Sequence, residues 1–438
     1  MSQYFLFIYA VYFTVILLAY AAIIENKWLL LFAPPLHLLV FDSVFYFLHI
    51  DNERTLTSIF AFSTLITLAG LAGSIVEAAR LGRHNRFALV SGPGQSLGLS
   101  ESVSSRPALN LAVGQNRAFM LMLGAGVLMF LYVLSGADVS LRVLLTDFME
   151  FARFYSESRR GGAWLLLLVN SLAFGLLYIF FQTGRWRHGA MCVAFILFLS
   201  LQGGRGVLLS FVMMLILIKI YQTGSGRLIP VFGSLGIGVF LIASYLRTGD
   251  LGEYMNGLAI FYDFNLAFVY EDVVAYLQSN GTEWGLFLND IVLYIPRAFW
   301  PDKPMSTAET FLIYPETAYS GTTYTFGLYG NMLLHASYFG LVAACLLYFV
   351  VGAAFIRFDT RTSSPGGTFA FIVTISMELL WLRAGIFGMR AATVLGTVLI
   401  GFWMAQGLTR WLATPQPWSV PFEQQTASQP KDQSRRAA

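Results

Sequence analysis

Long apolar runs separated by short polar stretches dominate the pattern of this chain. A run of roughly 17–25 apolar residues crosses a ~30 Å hydrocarbon core as a helix. Eleven such runs occur, near residues 3–24, 28–50, 55–76, 118–137, 163–183, 188–203, 206–221, 228–246, 328–354, 367–389 and 391–412. In lipid a lone segment must satisfy its own backbone polar groups, and the short alternating strands of a barrel are missing from the pattern. The reading is an all-α integral membrane protein of about 11 transmembrane helices, with residues 1–413 as one polytopic domain. The first run lacks a basic flank and a small-residue cleavage site, so it reads as a retained span.

Arginines in the short connections orient these spans. The stretch from Glu77 to Arg117 is the richest, with Arg80, Arg83, Arg86, Arg106 and Arg117, and its SGPGQSLGLSESVSS centre reads as a flexible cytoplasmic linker. Alternating from there puts Arg185, Arg187, Arg227, Arg357 and Arg361 in the cytoplasm, with the tail carrying Lys431, Arg435 and Arg436. The tail, residues 414–438, is rich in Pro, Gln and Ser and reads as disordered.

Composition narrows the class. Of 438 residues, 57% are hydrophobic and 12% charged, with mean hydropathy +0.65; a soluble domain carries about twice that charge. A net charge of +3, with no basic stripe interleaved with aromatics, gives a nucleic-acid partner no support. Cys192 and Cys345 both fall in apolar runs and read as small core residues, with neither disulfide nor metal-ligand spacing.

Two connections on the outer side are long. Residues 138–162 contain Glu150, Arg153 and Glu157 at i,i+3 and i,i+4 spacing, which predicts a short self-paired surface helix. Residues 247–327 form a loop far longer than an ordinary connector. Within it, GLAIFYDFNLAFVYEDVVAYL reads as a helix on or dipping into the membrane surface. Asp263, Glu271 and Asp272 argue against a twelfth span there.

Several arginines break the charge rule by lying at outer ends. Arg205 sits in QGGRG, a turn of about four residues, and Arg247 closes the eighth run. Arg383 and Arg390 belong to LRAGIFGMR, and their spacing of seven predicts one helix face about two turns apart. An Arg within a span costs about 2.5–3.5 kcal/mol on insertion scales, so retention implies a partner or a task. Taken singly, each reads as a snorkelling residue, and Glu378 could neutralise one. Taken together they suit a pyrophosphate, because a guanidinium stays charged and binds phosphate oxygens bidentately. Of the five histidines, His335 alone falls near these arginines, in the outer third of the ninth run.

The most distinctive stretch is Tyr294 to Pro304, YIPRAFWPDKP. Its three prolines make a stiff elbow that aims Arg297 and Lys303, while Tyr294, Phe299 and Trp300 suit a membrane-water boundary. Without further context it reads equally as an interfacial loop with ordinary anchors. The string IPRAFWPDKP, the GGRG turn, YLRTGD at the start of the long loop and FGLYGN leading into a span together resemble the Wzy-type O-antigen polymerases, the oligosaccharide repeat-unit polymerase family. The resemblance covers about residues 203–340 by motif and the rest by hydropathy.

That resemblance implies a membrane-embedded glycosyltransferase of the GT-C type, metal-independent and without a cofactor, in the bacterial inner membrane with its site on the periplasmic side. The glycan would pass from undecaprenyl pyrophosphate to a sugar hydroxyl of an incoming lipid-linked repeat unit. A flippase and a chain-length regulator of the same pathway are the implied partners. Arg205, Arg247, Arg297, Arg383 and Arg390 would neutralise the leaving pyrophosphate, with Lys303, Trp300 and Tyr294 on the sugar and phosphate. His335 is the first candidate for general base, with Glu309 and Asp302 as alternatives. A flippase or transporter is the main competing class, against which the missing internal repeat counts; an O-antigen ligase shares the chemistry. The expected outcome in a cell assay of polymer length is that Arg297→Ala and Arg205→Ala abolish polymer while the protein still inserts. Arg106→Ala should leave it unchanged, and normal chain lengths in both of the first two variants would sink the site.

Overall fold

The computed structural model describes residues 2–39, 53–90, 106–135, 167–200, 205–227, scattered positions between 229 and 238, 267–281, 300–302, 327–384 and 389–413. All regular structure among the described residues is helical. The helices are α1 Ser2–Ile23, α2 Pro34–Leu38, α3 Glu53–Val90, α4 Arg106–Ser135, α5 Leu167–Thr183, α6 Trp186–Ser200, α7 Arg205–Thr223, α8 Ala267–Asn280, α9 Gly327–Asp359, α10 Pro365–Ala384 and α11 Met389–Ala413. Among the described residues, three stretches are long and apolar enough to cross a membrane, Arg54–Gly82, Leu111–Tyr132 and Phe339–Asp359. Shorter apolar helices cover Phe7–Ile23, Leu167–Thr183 and Ser210–Thr223.

The centre of the bundle is the seam between α3 and α9. Gly70, Gly73 and Ser74 on α3 face Phe349 and Gly352 on α9, and a methyl on Gly73 or Gly352 would overlap a backbone carbonyl of the other helix. Small residues at such spacing let helix backbones approach closely, which is how helices associate where lipid is as apolar as the side chains. The Ser74 hydroxyl lies 3.0 Å from the Gly352 carbonyl oxygen and 3.2 Å from the Tyr20 hydroxyl of α1. One turn further, Glu77 takes a bidentate pair from Arg357, at 2.8 and 3.2 Å. The order 73, 74, 77 on α3 against 349, 352, 357 on α9 makes these two helices parallel.

The same reasoning fixes the direction of the others. Asp359 accepts the backbone N–H groups of Glu25 and Asn26, so α1 ends beside the end of α9. Gln406 of α11 donates to the Tyr178 hydroxyl of α5, and Gly401 packs on Ser171, so those two are parallel. Phe174 meets Phe211 and Phe181 meets Tyr221, so α7 runs with α5, and Tyr221 meets Phe358 at the same end. Phe371 packs on Phe358 while Tyr348 reaches Glu378, so α10 runs against α9. Phe119 stacks on His188 and Gly126 lies against Phe195, so α4 and α6 share one direction. Met122 lies against Gly175 and Gln115 bonds Gln182, which sets α4 opposite to α5. Thus α1, α3, α5, α7, α9 and α11 run one way and α4, α6 and α10 the other, as alternation of the predicted spans requires.

One end therefore gathers Glu77, Gln115, Gln182, His188, Gln222, Arg357 and Asp359, and will be called the Arg357 end. Exposed Trp28, Trp186 and Trp411 lie at this end, as a membrane-water boundary favours.

Several boundaries differ from those expected. The run 28–50 does not start as one helix: a 3-10 turn, Lys27–Phe32, is followed by α2, because Pro34 and Pro35 withhold backbone donors. Helix α3 continues to Val90 and α4 starts at Arg106, so both helices extend into the expected linker of 77–117. The centre of that linker, the eighth run apart from a few positions, and the tail from 414 lie outside the described residues. The charged part of the long-loop amphipathic segment is helix α8, with Tyr270 and Val273 buried and α9 as its neighbour.

A valine at Gly73 should cost about 1–3 kcal/mol by overpacking a seam with no room, whereas alanine at Gly124, which faces open space, should be nearly neutral. Thermal melting in detergent checks this, and equal stability of the two variants would contradict the close seam.

Candidate functional site

Three of the predicted arginines, Arg205, Arg383 and Arg390, have their backbones at the end opposite Arg357. Arg205 is the first residue of α7 rather than part of a turn, and Arg383 lies in the last turn of α10. Arg390 is the second residue of α11. Helices α7 and α10 pack against each other, as do α10 and α11, and α9 packs on α10. Their directions bring the backbones of the three arginines to adjacent helix ends on one side of the bundle.

The expectation that Arg383 and Arg390 share a helix face is corrected: α10 ends at Ala384 and α11 begins at Met389. Arg383 and Arg390 therefore belong to two different helices, at their adjacent ends. Nothing about that change moves either away from the same end.

His335 is placed differently from the expectation of one straight ninth span. Its residue is 2% exposed, and Asn331, one turn earlier, is 3% exposed. The apolar spanning stretch of α9 begins only at Phe339. A Cβ on Gly340 would lie 2.7 Å from the Met332 carbonyl oxygen, although eight residues of straight helix rise about 12 Å. Helix α9 is therefore sharply bent between them, and the leg carrying His335 folds back on the spanning leg. Tyr329 on this short leg meets Phe62 of α3, which holds it against the bundle. Sharp bends need a cause such as a Gly/Ser pair, and Ser337 and Gly340 supply it.

Of the elbow, Trp300, Pro301 and Asp302 are described and exposed, with Trp300 at 42%. Tyr294, Arg297, Lys303, Arg247 and Glu309 lie outside the described residues. Glu378, expected to neutralise an arginine, is buried and accepts a hydrogen bond from the Tyr348 hydroxyl at 2.9 Å. Sequence reasoning missed Tyr348, Asn331 and the bend. Asn331 lies four residues before His335 on the same helix face, which was the available signal. Among the described residues no group of His, Cys, Asp and Glu is arranged to hold a metal ion. Comparison with family models, curated proteins and solved structures gives no match.

Gly340→Val should destabilise the protein by about 1–3 kcal/mol, since the Met332 backbone cannot yield as a flexible side chain would. Gly396→Val, facing open space, serves as control. Equal melting temperatures for both would contradict the folded-back leg.

Proposed function

We propose that this chain is a polymerase of lipid-linked oligosaccharide repeat units, of the Wzy type, with about 11 spans and a GT-C-like layout. The reading rests on one observation above others: Arg205, Arg383 and Arg390 lie at adjacent helix ends on a single side of an all-helical bundle. The elbow string and the motifs around the long loop supply the family likeness. The site faces the periplasm of the inner membrane, and the C-terminus is cytoplasmic.

In this reading the arginines, joined by Arg247 and Arg297, hold the undecaprenyl pyrophosphate and stabilise the charge that accumulates as the glycosidic bond to phosphate breaks. The anomeric carbon passes to a hydroxyl of the incoming repeat unit, whose proton goes to a base. His335 takes that role, with Lys303, Trp300 and Tyr294 positioning the sugars. Because His335 is buried, the short leg of α9 has to open or rotate for the acceptor to reach it. A one-ended arginine set favours a one-sided site over a translocation path.

The test is purified protein with an undecaprenyl-pyrophosphate-linked repeat unit, divalent metals chelated, and gel analysis of the lipid-linked glycan. A ladder is expected, reduced by about 10²–10⁴-fold in His335→Gln. Unchanged substrate, with the same lipid crossing between leaflets of vesicles, would make the protein a transporter instead.

A further inference from the structure

At the Arg357 end, one residue departs from a pattern that three other helix ends share. Helices α5, α7 and α8 are each followed by a glycine with positive φ, Gly184, Gly224 and Gly281. The left-handed conformation crowds the Cβ of any other residue, so glycine is the default there. After α9 the same position is taken by Arg361, with φ 54°. The turn is a complete helix stop: the Thr362 N–H reaches the Arg357 carbonyl at 2.9 Å and the Arg361 N–H reaches that of Phe358 at 3.2 Å. A strained side chain kept where glycine fits freely points to work done by that side chain.

Its surroundings indicate what that work is. The Arg361 guanidinium lies over the Tyr221 ring, 5.7 Å from its centroid, and beside Gly224. Two residues on, Gly226 packs directly on the Trp28 ring, and Arg227 follows it. Both Arg361 and Arg227 are exposed, and among the described residues neither has a carboxylate within ion-pair distance. Two acids at this end of the bundle are otherwise engaged: Asp359 accepts two backbone N–H groups, and Glu77 holds Arg357. Trp28 is 46% exposed, and the apolar span of α9 ends at Asp359, so this patch sits at the membrane boundary.

We infer that Arg361, held over the Tyr221 ring beside Gly224, and Arg227, three residues past that glycine, form a seat for the phosphate of an anionic membrane lipid. The ring attracts the cation from one side, and a guanidinium binds phosphate oxygens through its N–H groups. Depth and the exposed Trp28 favour a lipid phosphate over a dissolved one, since the adjoining surface is apolar. The inference is independent of the proposed polymerase activity.

The test is thermal melting of the purified full chain in dodecyl maltoside micelles, which carry no phosphate, with phosphatidylglycerol or inorganic phosphate added. Phosphatidylglycerol should raise the wild-type Tm by about 2–4 °C, and inorganic phosphate should not. Arg361→Gly should melt no lower than wild type in the maltoside alone, through relief of the strained backbone, and should lose most of the phosphatidylglycerol increment. Arg361→Asn, whose side chain tolerates the same backbone, provides the test if the glycine variant does not purify. No increment in wild type, a full increment in the variant, or an equal increment from inorganic phosphate would each overturn the lipid seat.

Discussion

Gly73 and Gly352 allow two parallel helices to come so close that the backbone of each occupies the space of the other's missing side chain. Within a membrane there is no hydrophobic force to drive helix on helix, so dispersion at this distance and a few internal polar contacts must do the holding. The seam supplies both. Ser74 and Tyr20 tie α1 into it, and the Glu77–Arg357 pair closes it at one end. With α3 and α9 fixed parallel, α10 has to return against α9, and the α7 and α11 directions follow from their contacts with the α5 and α10 helices. The side on which each connection lies is thereby settled for the described helices.

Several polar groups within the bundle hold one another across helices. Tyr178 gathers amides from Gln182 and Gln406, which join α5 to α11, and Gln115 extends the group to α4. Glu378 is met by Tyr348, and His188 by Thr183 with Phe119 stacked on its ring. An unsatisfied polar group in hydrocarbon costs several kcal/mol, so each contact limits how far neighbouring helices can slide. The far end carries its arginines on helix termini, where such groups can reach water or an anionic ligand.

Much of this was legible in the sequence. Alternating direction followed from the succession of apolar runs, because spans joined by short connections must return across the bundle. The breaks did not follow from hydropathy, which averages over a window and is blind to backbone geometry. Pro34 and Pro35 announced the first break and were absorbed into an apolar run. Gly385 and Gly388 separate Arg383 from Arg390, yet the spacing of seven was taken as one helix. The bend before Phe339 had only Ser337 and Gly340 as a signal, and such pairs occur in many straight helices. The left-handed backbone of Arg361 was not legible, since nothing local distinguishes it from an ordinary arginine after a helix.

The central claim is that helix direction collects Arg205, Arg383 and Arg390 on one side and Arg357 and Arg361 on the other. The direct measurement is labelling with a membrane-impermeant maleimide in sealed right-side-out and inverted vesicles, using chains in which Cys192 and Cys345 are replaced by Ala. Single cysteines would be placed by Ala384→Cys and Met389→Cys at one end and by Ser225→Cys and Thr362→Cys at the other. The account predicts that the first two label in one vesicle orientation only and the last two in the opposite one. Labelling of Ala384→Cys and Thr362→Cys from the same side would contradict it.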